Sequence, residues 1–138
     1  MSNLRKLIKE HLLLEKRIAQ LMSSFEIQYS FDVDRSTHAY VRKTRNDIEG
    51  YNEKEISNSE IKYIISLSLK EIAEKIAQHN IVDNKEFVIK SYEKEIAIAI
   101  VPKHVLDNFW ELVVKTVFRE SYDNPFRVGK NQIVIWID

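Results

Sequence analysis

The sequence predicts an α+β fold, in which N-terminal helices pack on an antiparallel sheet of about four to five strands. Two observations carry this prediction. Apolar residues recur at helical spacing in two long segments before residue 78, whereas β-branched and aromatic residues dominate from Phe87 onward. Because the chain has 138 residues, we expect one domain, with a helical extension over 1–23 and the α+β core over 25–138.

The first element is predicted to be a long amphipathic helix. Its stripe has steps of three and four residues and consists of Leu4, Leu7, His11, Leu14, Ile18 and Leu21. Three further residues, Ile8, Leu12 and Leu13, widen the stripe beyond a two-stranded seam, which favours packing on the parent domain. Pairing of residues 4–21 with a protein partner or a second copy is the alternative.

A half-buried strand is predicted after this helix, because apolar and polar residues alternate from Phe25 to Asp34. Asp34 or Ser36 can then cap a short helix that runs to about Asn46. The polar residues 49–55 predict a loop.

The second long helix is predicted from a capping box, in which Ser57 is followed three residues later by Glu60. Its apolar positions are Ile61, Ile64, Ile65, Leu69, Ile72 and Ile76. Four strands follow, over 87–92, 95–101, 109–120 and 132–137, most simply as an antiparallel meander. A hairpin is expected at 92–94, a longer connection at 102–108, and turns at 123–125 and 129–131.

Composition excludes several classes of protein. The absence of cysteine removes disulfides, thiol nucleophiles and cysteine-bearing metal sites, and two glycines leave no phosphate-binding loop. Twenty-one basic and twenty-one acidic residues leave no global field that would attract nucleic acid or an anionic membrane. With no apolar segment of membrane-spanning length and no signal-peptide pattern, we expect a cytoplasmic protein without a membrane partner or a cofactor.

One local cluster has the chemistry of phosphate binding. It contains Arg35, His38, Arg42, Lys43 and Arg45, with no acidic residue among them. On a helix, His38, Arg42 and Arg45 would project from one face, where guanidinium groups can hold phosphate oxygens and an imidazole can move a proton. The alternative is a solvated basic helix whose arginines pair with nearby carboxylates, namely Asp32, Asp34, Asp47 or Glu49.

Two patterns resemble those of RelE-like proteins, a group that includes BrnT-type toxins and a phage endoribonuclease that cuts early messages. The first is Ser36-Thr37-His38-Ala39 followed by Arg42 and Arg45, and the second lies at 112–119. The resemblance covers residues 25–120 and implies metal-independent cleavage of messenger RNA through attack by the 2′-hydroxyl. The messenger RNA would be either free or bound to the ribosome. It implies that His38 is the general acid/base and that Arg42 and Arg45 position phosphate.

RNA contacts are expected from Arg35 and Lys43 of that cluster and from Lys115, Thr116 and Arg119 on a sheet strand, the last two implied by the resemblance. A rival hypothesis is a non-catalytic interaction protein that acts through its N-terminal helix, and a weaker one is an immunity protein or antitoxin.

Other candidate residues have structural interpretations that we favour. The stripe position of His11 predicts packing, and Asp32 and Asp34 predict a solubilising strand face in preference to a magnesium site. Trp110 and Trp136 could stack on bases, but cross-strand packing is the commoner use of strand aromatics.

Overall fold

A computed structural model describes residues 2–30, 38–39, 56–120 and 125–138, with only the backbone given for 2, 38 and 39. These residues form two helices and seven strands. The helices are α1 (Ser2–Ser24) and α2 (Asn58–Ala77). The strands are β1 (Phe25–Tyr29), β2 (His38–Ala39), β3 (Ile56–Ser57), β4 (Phe87–Ser91), β5 (Ile96–Leu106), β6 (Phe109–Arg119) and β7 (Val134–Trp136). The predicted α+β class is confirmed.

The main sheet of the described residues has the strand order β1-β6-β5-β4-β7. Its centre, β4-β5-β6, is the predicted antiparallel meander. The expectation of a purely antiparallel sheet is wrong at both edges, because β1 runs parallel to β6 and β7 runs parallel to β4. Neither outer strand reaches its neighbour through a hairpin, so no tight turn imposes the antiparallel direction.

The β5–β6 hairpin is longer than predicted, because β5 continues through Pro102 to Leu106 where we expected a connection. The loop contains only Asp107 and Asn108, and Asp107 adopts a left-handed φ of 46°. Pro102 is tolerated because the pairing of β5 with β4 ends at Ile100. Beyond that point β5 has a strand on one side only, which is the setting in which a strand accepts proline.

The helices cover one face of this sheet and form the main core with it. Helix α2 begins as predicted, since Ser57 Oγ accepts a hydrogen bond from the Glu60 amide at 3.2 Å. Its buried isoleucines meet the inward side chains of the central strands, including Phe87, Ile98 and Val114. From α1, only the last two turns join this core, through Ile18 and Leu21.

The opposite face of the sheet carries a smaller apolar cluster and one buried ion pair. Phe126 packs beside Phe118, with ring centroids 5.6 Å apart. Next to them, Lys90 Nζ lies 3.0 Å from Glu120 Oε2 and donates to the Phe126 carbonyl at 3.1 Å. The 125–134 segment is thereby fastened over this face by both apolar and charged contacts.

Candidate functional site

The apolar stripe of α1 divides into a buried part and an exposed part. Ile18 and Leu21 are 5% and 0% exposed, whereas Leu7 is 62% exposed and Leu14 is 38% exposed. We call the exposed part the α1 surface, and it comprises Leu4, Leu7, Ile8, Leu12 and Leu14. Leu13 is also exposed, but it lies nine residues after Leu4 and therefore on the opposite side of the helix. The prediction that the whole stripe packs on the parent domain is therefore wrong for the first four turns of the helix.

The local sequence explains why these turns are helical although they lie away from the core. Residues 3–16 contain no glycine or proline and consist largely of leucine, lysine, arginine and glutamate, which favour helix. Attachment of the last two turns to the core supplies the nucleus from which a helix propagates. The leucines in these turns therefore keep helical spacing while they are exposed to solvent.

A second group of exposed apolar residues lies beside the end of α1. We call it the hairpin tip, and it comprises Val105, Leu106 and Phe109 at the end of β5–β6. Asn108 Nδ2 in this turn donates to Gln20 Oε1 of α1 at 3.1 Å, which fixes the tip against the helix. Leu13 lies seven residues before Gln20 and therefore on the same side of the helix. The hairpin tip thus adjoins the side of α1 that carries Leu13.

The charged side chains of α1 are mostly basic. Its five cations are Arg5, Lys6, Lys9, Lys16 and Arg17, against the two carboxylates of Glu10 and Glu15. Five positive and two negative side chains give the helix a net charge of +3, although the whole chain has a formal charge of zero. Within the described ranges, the Lys90–Glu120 pair is the ion pair present, and none of the five α1 cations is paired with a carboxylate.

Most of the predicted phosphate-binding cluster, namely Arg35, Arg42, Lys43 and Arg45, lies outside the described residues. His38 is described in backbone only and opens β2, where it pairs antiparallel with Ser57. The predicted short helix is therefore wrong at 38–39, and the helical spacing that joined His38 to the two arginines does not start from a helical residue.

The predicted RNA contacts on β6 have diverse surroundings. Lys115 is exposed, and Thr116 is half-buried. Arg119 is half-buried, and its Nη1 donates to the Lys94 carbonyl at 3.1 Å in the β4–β5 turn. An irregularity in the pairing with β5 falls at Lys115, and Val114 and Val117 both lie in the main core. Strand alternation is therefore interrupted, so the four-residue spacing does not by itself place Lys115 and Arg119 on one face.

The remaining aromatic and histidine candidates include buried and exposed residues. Trp110 is 7% exposed and stacks on His104 with ring centroids 4.6 Å apart, so packing is its role. Trp136 is 54% exposed, and Lys90 Nζ lies 5.5 Å from its ring centroid. His11 is exposed on α1, which makes the predicted packing role wrong within the described chain.

Two further properties of the described residues bear on function. No group of three or more histidine or acidic residues there is placed to hold a metal ion, while Asp32 and Asp34 lie outside the described ranges. In the same part of the chain, neither helix combines the length and the apolar character that crossing a bilayer requires.

A cleft of about 280 Å³ lies beyond the end of α2. Its lining includes His79, Lys85, Glu86 and Gln132, and Gln132 Nε2 donates to Glu86 Oε2 at 2.6 Å. The polar groups of Gln132 and Glu86 therefore bind each other in the lining of the cleft.

The α1 surface is the feature of the described residues that most needs a functional explanation, because contiguous exposed leucines are rare on monomeric proteins. The resemblance to RelE-like proteins stays a prediction. Comparison of the chain with protein-family models, with curated proteins and with solved structures finds no match.

Proposed function

We propose that this chain is a non-catalytic interaction protein that binds a helix of a partner protein through the α1 surface. The observation that carries the proposal is the division of one stripe, in which Ile18 and Leu21 are buried while Leu4 and Leu7 are 60% and 62% exposed. A helix stripe at alternating three- and four-residue steps is suited to pairing with another helix.

Continuity with an interface inside the domain supports a helical partner. The buried end of the stripe already packs in the core that α1 shares with α2. The exposed end has the same spacing, so a second helix laid along it would continue the same kind of packing for about four turns.

The energetic terms favour a complex of modest affinity at α1 alone. Burying the exposed half of a leucine contributes about 1 kcal/mol, so the five residues of the α1 surface contribute roughly 5 kcal/mol. Association costs about 4 kcal/mol or more in lost freedom.

Binding to a synthetic helical peptide with leucine at its a and d positions tests the proposal. Leu4→Gln with Leu7→Gln should weaken this binding at least about tenfold, because both side chains would be buried in the complex. The matched control is Leu67→Gln on α2, which is also an exposed leucine but lies outside the α1 surface. Equal affinities of the two variants, or no binding by the unaltered protein, would refute the proposal.

A second candidate function, RNA binding with metal-independent cleavage, is favoured by one sequence observation. Residues 35–45 contain four cations and one histidine without a single carboxylate, in a chain with no net charge. Guanidinium and ammonium groups in such density neutralise phosphates, and an imidazole can act as acid or base in 2′-hydroxyl attack.

Incubation of the protein with messenger RNA in EDTA tests this candidate. His38→Ala should abolish cleavage, whereas His79→Ala, which removes an exposed histidine at the end of α2, should leave it unchanged. The catalytic claim would be refuted if the unaltered protein did not cleave RNA. It would also be refuted if the His38→Ala and His79→Ala variants cleaved RNA equally.

A further inference from the structure

We infer that the outer edge of β7 pairs with the same edge of a second copy of this chain, which joins the two main sheets into one. This association uses backbone groups of the sheet and is separate from helix docking at the α1 surface. Strand β7 is the last strand of the main sheet on the side of β4.

The backbone groups of β7 point alternately toward β4 and away from it. The Val88 amide donates to the Ile133 carbonyl at 2.9 Å, on the side of β7 that faces β4. Every second residue from Ile133 bonds in this way, so the amides and carbonyls of Val134 and Trp136 point outward. Within the described part of the chain, these four groups have no hydrogen-bond partner. An extended strand laid beside β7 is the structure that would satisfy all of them.

Apart from being short, β7 lacks the features that protect sheet edges from pairing. Such edges are commonly protected by charged side chains, by proline or by a bulge. Residues 131–137 contain no charged residue and no proline, and β7 pairs with β4 without a shift in register. Trp136 is 54% exposed although its side chain is large and apolar. The edge is therefore open to a further strand.

Contacts at both ends of β7 hold the strand in place before any partner binds. At the far end, Asp138 Oδ2 accepts a hydrogen bond from Ser91 Oγ at 2.7 Å, and Asp138 Oδ1 accepts one from the Tyr92 amide at 2.7 Å. At the near end, the Gln132 amide donates to the Gly129 carbonyl at 3.0 Å. Because the strand is already ordered, pairing costs it little conformational freedom.

A second copy can satisfy the four outward groups with the same four groups of its own. We place the twofold axis beside Ile135, with the two β7 strands antiparallel. Val134 then lies opposite Trp136 of the partner subunit, and Trp136 lies opposite Val134 of the partner subunit. Each of these pairs exchanges two hydrogen bonds, so all four outward groups are paired. Because the same edge is used twice, the assembly closes at two chains.

The side chains on the sheet face away from the helices also fit this register. Val134 packs on the smaller apolar cluster, and Trp136, two residues later, lies on the same face. The two Trp136 rings of the pair would lie diagonally across the junction, within reach of each other. Their burial adds an apolar contribution to the backbone hydrogen bonds.

Charge favours a second copy as the occupant. The whole chain has a formal net charge of zero, so two copies do not repel each other at long range. Because residues 131–137 are uncharged, no like charges meet along the paired strands. At the ends of the pair, Asp138 lies opposite Gln132 of the partner subunit, which is a neutral side chain.

Sedimentation velocity over a range of protein concentrations tests the inference on the full chain. The unaltered protein should change from a one-chain mass to a two-chain mass as its concentration rises. The dimer should be weak, because a short edge buries less than the ~1,200 Å² of a stable interface. Val134→Pro removes the outward amide and should raise the dimer Kd at least about tenfold, while the bonds to β4 remain. Val134→Thr keeps the amide and should change the Kd less than about threefold.

Two further measurements apply if circular dichroism shows that Val134→Pro does not fold. Trp136→Gln should raise the dimer Kd at least about fivefold, whereas Tyr63→Gln, which replaces an aromatic residue of equal exposure on α2, should leave it unchanged. Amide exchange of the unaltered protein, followed by NMR, should slow at Val134 and Trp136 as the concentration rises. Exchange at Ile135, whose amide already faces β4, should change less.

Three outcomes would overturn the inference. The first is a monomer at every concentration, and if that monomer binds a synthetic peptide of alternating valine and threonine, the occupant is an extended segment of another protein. The second is a dimer that Val134→Pro and Val134→Thr form equally. The third is a dimer that is lost with Leu4→Gln and Leu7→Gln but kept with Trp136→Gln, which would assign self-association to the α1 surface.

Discussion

Two leucines on the same stripe of α1 should respond very differently to truncation. Leu21 is fully buried in the main core, so Leu21→Ala removes buried methyl groups and leaves a cavity. We expect this change to lower the free energy of unfolding by ~3 kcal/mol. Leu7 is 62% exposed, so Leu7→Ala should change it by less than ~0.5 kcal/mol.

Thermal and urea unfolding followed by circular dichroism measure both effects. For a domain of this size, ~3 kcal/mol corresponds to a fall in Tm of ~10 °C, whereas the Leu7 variant should unfold within ~2 °C of the unaltered protein. Measurement at several protein concentrations separates folding from association, because an assembled state makes Tm depend on concentration. If Leu7→Ala lowered the free energy of unfolding by more than ~1.5 kcal/mol at every protein concentration, the first turns of α1 would pack on the domain. The claim that these turns are exposed would then be refuted.

Three smaller predictions concern contacts that fasten the fold. Ser57→Ala should cost ~1 kcal/mol in denaturant unfolding because it removes the cap of α2, and Ser57→Thr should restore most of it. Lys90→Met should cost ~2 kcal/mol by leaving the mostly buried Glu120 carboxylate without its cation, and adding Glu120→Gln should recover part of that loss. The Ser91 hydroxyl holds the pKa of Asp138 below its ordinary value of 3.8, helped by two backbone amides. Asp138 therefore contributes stability above about pH 3.8 that is lost as the pH falls through its lowered pKa, and Asp138→Asn should remove that part of the acid dependence.

Local patterns in the sequence predicted the parts of the fold that local chemistry determines. The capping box at Ser57 and Glu60 marks the start of α2, because both partners of the bond lie in one turn. The short segment after Ser91 marks the β4–β5 hairpin, where Glu95 takes a left-handed φ of 56°. Such features depend on residues that are neighbours in the chain.

Features that depend on distant neighbours were not predictable in the same way. Alternation in β1 indicates a strand but does not indicate that β6 runs parallel to it. Pro102 suggested a loop, because proline usually ends a strand. It is accepted in β5 because the pairing with β4 ends at Ile100, which the sequence around Pro102 does not indicate. The pairing irregularity at Lys115 likewise has no signal in a run of β-branched residues, and it changes which side chains share a face.

The candidate site shows the same limit. The stripe from Leu4 to Leu21 is evident in the sequence, but its spacing is identical in the buried and exposed parts. Which part packs depends on how far the sheet and α2 extend beneath the helix. Exposure of the first turns thus becomes visible only with the fold.

The pairing of the two outer strands has a consequence for the order of folding. The β4-β5-β6 meander joins strands that follow each other closely, so its loops close at small entropic cost. Strand β1 must find β6, and β7 must find β4, across long stretches of chain. The meander should therefore form early, with β1 and β7 added late as covers for edges that would otherwise recruit other chains. Amide hydrogens in β1 and β7 should then exchange with solvent sooner than those of β5.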